Sequence, residues 1–220
     1  MKKYLKIALL LFINVAYAQQ TENKEISNSI KVEIKQLKKS QFGNCFSEII
    51  IYNGSKIKDS LKFDNIESLG GNSGLYKYSE KINNNVIISK FGDYDGRTII
   101  INQYGKIYNI IGGEIYFDKK NSFIISKYDS DLNGFSVFDI KNETLVMEMK
   151  DISIMPIDFY SDLNGRLFFT AKSDDSDTEL IWEIEPEMER IMQVDIIKEE
   201  LIKYKLLQLE IEGNKMINCE

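Results

Sequence analysis

Three short turns hold most of the residues in this chain that could do chemistry: Asp93-Tyr94-Asp95-Gly96, Asp129-Ser130-Asp131-Leu132-Asn133-Gly134 and Asp174-Asp175-Ser176-Asp177. Carboxylates crowded in this way attract metal cations, or the ammonium and guanidinium groups of a basic partner. In the middle turn Asp129, Asp131 and Asn133 alternate before a Gly, the oxygen spacing with which a calcium loop opens. The spacing then breaks down. Val137 and Ile140 stand where a water-bridged ligand and a closing bidentate Glu belong. Tight hairpins select Asp, Asn and Gly on conformational grounds alone. The first reading is therefore a set of plain turns that together present an acidic face. The second is a weak calcium site built from Asp129, Asp131, Asn133 and a backbone carbonyl.

Other chemistry is hard to assemble from this composition. The chain has no His, which removes Ser-His-Asp and Cys-His constellations, His-ligated zinc and the usual proton shuttle near neutral pH. Its two Cys, at positions 45 and 219, are too far apart in sequence to read as a zinc motif. Paired carboxylates survive as an alternative, since glycosidase chemistry needs only two at a defined separation. Tyr94, Tyr104, Tyr108, Tyr116, Tyr128, Phe135 and Tyr160 lie among the same segments. They could stack on sugars, but in a β-rich chain such aromatics more often pack in the core. No cofactor is expected, and no enzymatic activity.

The acidic turns recur because the segments around them recur. VIISKFGDYDGRTIII (86–101), FIISKYDSDLNGFSVFD (123–139) and LFFTAKSDDSDTELIWEI (167–184) each run from an apolar strand through Ser-Lys or Ala-Lys to an Asp-rich turn and back. Lys90, Lys127 and Lys172 mark equivalent positions, 37 and 45 residues apart. Each segment extends to four strands of period two: 75–82, 85–92, 97–103 and 106–112; then 114–120, 123–130, 135–141 and 144–150; then 153–160, 166–173, 179–185 and 190–196. An incomplete version precedes them, with strands at 30–37, 46–52 and 56–63 and an Asn53-Gly54 hairpin. The LGGNSG run (69–74) reads as a loop between units. Pro156 predicts a bulge or an unpaired position in its strand, and Trp182 is expected to pack between sheets.

Four-stranded units of about 40 residues in series resemble the blades of a β-propeller. The resemblance covers 74–196 and, more weakly, 30–63. It implies an all-β fold of three to four stacked antiparallel sheets and carries no activity with it. An open twisted meander, or a barrel or sandwich of the same hairpins, is the alternative.

The ends of the chain frame this domain. Residues 1–18 combine Lys2 and Lys3, an apolar stretch and an Ala16-Tyr17-Ala18 site, and read as a bacterial-type signal peptide cut before Gln19. Losing Lys2, Lys3 and Lys6 leaves 25 basic against 34 acidic residues, a net of −9. That sign opposes nucleic acid and anionic membrane surfaces alike and favours a basic protein partner. The expected mature protein is periplasmic or secreted, with no membrane insertion after cleavage. In that compartment a Cys45–Cys219 disulfide is expected, closing a loop of about 175 residues and worth at most about 5 kcal/mol. From Asp195, a helix is expected with Ile197, Leu201, Ile202 and Leu206 on one face. The expected organisation is 1–18 signal, 19–73 incomplete repeat, 74–196 three repeats and 197–220 helix and tail, with 19–220 forming one domain. The expected function is a non-enzymatic protein-interaction module, of inhibitor or immunity type. A carbohydrate or small-ligand binder, or a weak carboxylate glycosidase, is the alternative.

Overall fold

The structure, a computed structural model, describes residues 19–38, 45–64, 77–90, 96–128, 133–150, 152–173, 176–196 and 198–209. The expected signal segment (1–18), the LGGNSG run (69–74) and Cys219 lie outside these residues. Among the described residues the chain is all-β, with four antiparallel sheets in each of which four consecutive strands follow chain order. The first contains β1 (Gln19–Glu25), β2 (Ile30–Lys38), β3 (Cys45–Asn53) and β4 (Lys56–Asp64). The second contains β5 (Lys77–Ile82), β6 (Asn85–Lys90), β7 (Arg97–Ile101) and β8 (Ile107–Ile111). The third contains β9 (Glu114–Asp118), β10 (Phe123–Tyr128), β11 (Gly134–Asp139) and β12 (Thr144–Met149). The fourth contains β13 (Pro156–Ser161), β14 (Leu167–Ser173), β15 (Ser176–Glu185) and β16 (Arg190–Val194).

Side-chain alternation explains why the sheets stack. In β7, Ile99 and Ile101 pack on the first sheet with Val32, Ile34, Ile49 and Ile51, whereas Ile100 packs on the third with Ile124 and Phe138. In β10, Ile124 faces the second sheet and Ile125 the fourth. Sheets covered on both faces read as nearly continuous apolar runs. Among the described residues no second sheet packs on the outer face of the first, and β2 alternates: Val32 and Ile34 are buried, while Lys31, Glu33 and Lys35 are half-exposed. There Tyr52 donates to Glu33 at 2.6 Å, and Lys62 pairs with Glu48 at 3.4 Å. At the other end of the stack Tyr160, Phe168 and Ile181 are covered by Leu201 of the C-terminal segment. Apolar clusters join first to second, second to third and third to fourth sheets. None among the described residues joins the fourth back to the first. The sheets are blade-like, and none closes.

Two segments differ from the sequence-based expectation. The N-terminal unit has four strands, because β1 pairs with β2 from Gln19↔Leu37 to Glu25↔Lys31. Its sequence, QQTENKE, has no apolar residue, so period two leaves no trace there; the ladder of β2 recruits it through the backbone.

The expected C-terminal helix is corrected. Only α1 (Lys198–Leu201) is helical; a 3-10 turn over Ile202–Tyr204 follows, and then an extended strap ending in β17 (Leu207–Gln208). The strap bridges two sheets. Lys205 pairs with Tyr160, the Leu206 N–H donates to Phe159 O at 2.9 Å, and the Leu209 N–H donates to Ile115 O at 2.8 Å. β17 adds a fifth strand to the third sheet beside β9. An isolated helix of that length is marginal, whereas the open edges of β9 and β13 offer the same backbone groups a ladder. Leu206 is buried by the strap, and Ile202 is left 55% exposed. Pro156 stands at a register irregularity in β13, as expected.

Candidate functional site

Because the first four strands of each sheet form a meander in chain order, the strand ends that lead from second to third strand share one end of the stack. The first-to-second and third-to-fourth turns share the other. Bonds between neighbouring sheets fix this second end: Ser27 Oγ to Gln103 O at 3.4 Å, Asn102 Nδ2 to Glu143 Oε1 at 2.7 Å, and Lys120 Nζ to Asp162 O at 3.3 Å.

The strand ends that flank the three Asp-rich sequences belong to the first end. Asp93 and Asp95 follow β6, Asp129 and Asp131 follow β10, and Asp174 and Asp175 follow β14. All six lie outside the described residues, as does the side chain of Asp177, whose backbone belongs to β15. Asn133 is half-buried, and its carbonyl accepts the Ile152 N–H at 3.1 Å, tying the β12–β13 connection to the hairpin. The fold thus brings the flanking strand ends together. Among the described residues no group of three or more Asp, Glu, Cys or His could hold a metal ion. Cys45 opens β3; its side chain and Cys219 are outside the described residues, and so is the expected bridge between them. The three repeat lysines do not share one environment. Lys127 is 6% exposed and pairs with Glu114 at 2.9 Å, Lys172 is exposed, and the Lys90 side chain is outside the described residues.

At the second end, acidic and amide side chains build turns. Asp118 accepts the N–H groups of Lys120 and Asn121 and the Asn121 amide. Asp139 repeats the pattern with Asn142. Asp162 accepts from the N–H groups of Asn164 and Arg166 and from Arg166 Nε at 2.8 Å. Burial pushes the Asp162 carboxyl up, but the backbone and side-chain donors of Arg166 and the Asn164 N–H outweigh it and hold it below the usual range. These are the local side-chain bonds that make Asp and Asn turn residues. Gly165, at φ +85°, lies under Asn121, whose Oδ1 would sit 2.7 Å from an added Cβ.

Glu143 connects the second and third sheets. It lies in the left-handed region at φ 55° and accepts from Tyr108 Oη and Asn102 Nδ2. These two donors, Tyr108 first, hold its carboxyl below the ordinary range. Burial, then the Glu143 bond, raises the Tyr108 hydroxyl. A lowered carboxyl contributes stability above the unfolded pKa and loses it as pH falls through the folded one. Glu143→Ala is therefore expected to cost about 1 kcal/mol at pH 7. That difference should shrink as pH falls below the ordinary glutamate range, as urea unfolding of both proteins at pH 7 and in acid would measure.

A feature that the sequence reading missed lies at this same end. A groove of about 640 Å³ opens between the β5–β6 turn, the ends of β9 and β13 and the C-terminal strap. Its lysines are scattered from position 81 to 205, so no sequence window contains the cluster. In comparison with known proteins, no family model matches this chain and no curated protein is significantly similar to it.

Proposed function

We propose that the chain is an exported, non-enzymatic interaction module that holds a basic protein partner through its acidic end, in the manner of an inhibitor or immunity protein. One observation carries this reading. The strand ends flanking the three Asp-rich sequences, Lys90 and Arg97, Tyr128 and Gly134, Ser173 and Ser176, all belong to the same end of the stack. The segments those strand ends lead into carry seven Asp in the sequence, and carboxylates of one sign steer and orient a cationic surface. The stack is read as an open, propeller-like arc.

Cross-linking in the native envelope fraction tests the reading, with wild type compared to Asp129→Asn/Asp131→Asn. A partner recovered in fixed ratio with wild type and lost with the variant is the expected result. Recovery of the wild-type chain alone, after efficient cross-linking, would refute an interaction role. Equal recovery by both proteins would remove the acidic end from it.

A further inference from the structure

We propose that the groove at the opposite end binds an extended peptide segment bearing carboxylates interspersed with apolar side chains. Its volume of about 640 Å³ lies within the range of ligand clefts. Four ammonium groups line it, those of Lys81, Lys119, Lys120 and Lys205, in a chain of formal net charge −6. How these groups are engaged sets the sign of the groove. Lys81 donates to the carbonyl of Glu25 at 3.1 Å, and Lys120 donates to the carbonyls of Asp162 and Leu163. Such acceptors satisfy the donor without neutralising the charge. Lys119 is exposed and has no hydrogen bond or ion pair among the described residues. Of the four, Lys205 alone meets a carboxylate among the described residues, Asp158 at 2.6 Å.

The acids of the lining are differently placed. Asp118 is 2% exposed and bound to Asn121 and the Lys120 N–H, and Asp162 is held by Arg166. Glu80 is the exposed one. Among the described residues, three lysines thus border the groove with no carboxylate bonded to them, and a ligand carboxylate would be their counter-charge.

Two further observations select a peptide over a small anion or a sulfated sugar. Leu163 and Leu207 stand on the groove walls 72% and 62% exposed, beside Phe117 and Tyr204. Apolar walls this open match a ligand with apolar groups of its own. In addition β5, whose Glu80–Ile82 end lines the groove, pairs only with β6 among the described residues. Its other edge offers main-chain donors and acceptors to an added strand. This site stands apart from the acidic end, and either can fail without the other.

A fluorescein-labelled octapeptide of alternating glutamate and leucine, titrated with the full chain and followed by anisotropy, tests the proposal. Saturable binding is expected, weakened about tenfold, or roughly 1.4 kcal/mol, by Lys119→Glu. Lys119 has no bonds to lose among the described residues, so this variant should melt with wild type; Lys81→Glu provides a second, independent loss. No binding at about 1 mM protein would overturn the proposal. So would equal affinity for the glutamine-for-glutamate peptide, or binding unchanged in both variants. A sulfated oligosaccharide that binds as tightly as the peptide would also overturn it, by making the groove a general polyanion site.

Discussion

Phe135→Ala is expected to be the most destabilising single truncation in this protein, lowering stability by about 3–5 kcal/mol. Phe135 is fully buried in β11 and sits at the centre of the seam between the third and fourth sheets. Its ring lies 5.6 Å from Phe159, edge-on, and 5.5 Å from Phe169. Phe159 in turn lies 4.9 Å from Tyr116, and Phe169 stacks on Trp182 at 6.3 Å with planes 12° apart. Removing one ring from this group costs the transfer energy of the ring, the aromatic contacts and a cavity that β-sheet backbones cannot collapse to fill. For a domain of this size, each kcal/mol corresponds to about 2–4 °C in melting temperature. A drop of roughly 6–20 °C in a thermal melt is therefore expected. Trp182 is the chain's single Trp, so its fluorescence reports this seam directly. A variant that melts within about 2 °C of wild type would show that the two sheets do not depend on this packing.

Gly112→Ala is expected to have an effect of similar size for a different reason, about 2–5 kcal/mol from backbone strain and overpacking together. Gly112 and Gly113 are the whole connection between the second and third sheets. Gly112 sits at φ +106°, and a Cβ there would lie 2.7 Å from Ser126 Oγ and 2.8 Å from Lys127 O. The two carbonyls of the connection are also acceptors. Thr98 Oγ1 donates to Gly112 O at 2.7 Å and lies 2.8 Å from Ser126 Oγ, while Ser89 Oγ donates to Gly113 O. Ser89, Thr98 and Ser126 are fully buried, so displacing the connection would leave buried hydroxyl groups without partners. Urea unfolding of Gly112→Ala would measure the loss. Thr98→Val separates the causes, since it removes the hydroxyl and keeps the glycine; it should cost about 1–2 kcal/mol. Equal stability of Gly112→Ala and wild type would mean the sheets can shift to admit the methyl group.

Most of the strand pattern was legible because each inner strand carries its own evidence. FIISKY and RTIII put branched or aromatic side chains on both faces, and Asn, Asp and Gly mark where each strand stops. The middle unit, read as strands at 114–120, 123–130, 135–141 and 144–150, is found at Glu114–Asp118, Phe123–Tyr128, Gly134–Asp139 and Thr144–Met149. Two segments take their structure from partners elsewhere in the chain. β1 is polar throughout and exists because β2 has a free edge beside it. Ile197, Leu201, Ile202 and Leu206 satisfy a helical period, yet the edges of β9 and β13 draw the chain from Lys205 onward into a strap. Asp118, Asp139 and Asp162 each accept N–H groups of the turn that follows, and so serve turn geometry.

The Asp-rich turns show where that division falls. The sequence by itself determined that they recur, that they join second to third strands, and that the repeat is an all-β unit of four strands. Turn chemistry and side-chain period are local, so a single strand and its neighbours contain them. Only the tertiary structure decided that the flanking strand ends share one end of the stack and that the lysines gather at the other. Lys81, Lys119, Lys120 and Lys205 become neighbours through sheet stacking and the strap. Stacking is driven by non-directional burial of apolar faces summed over the whole chain, and no local stretch of residues records its outcome.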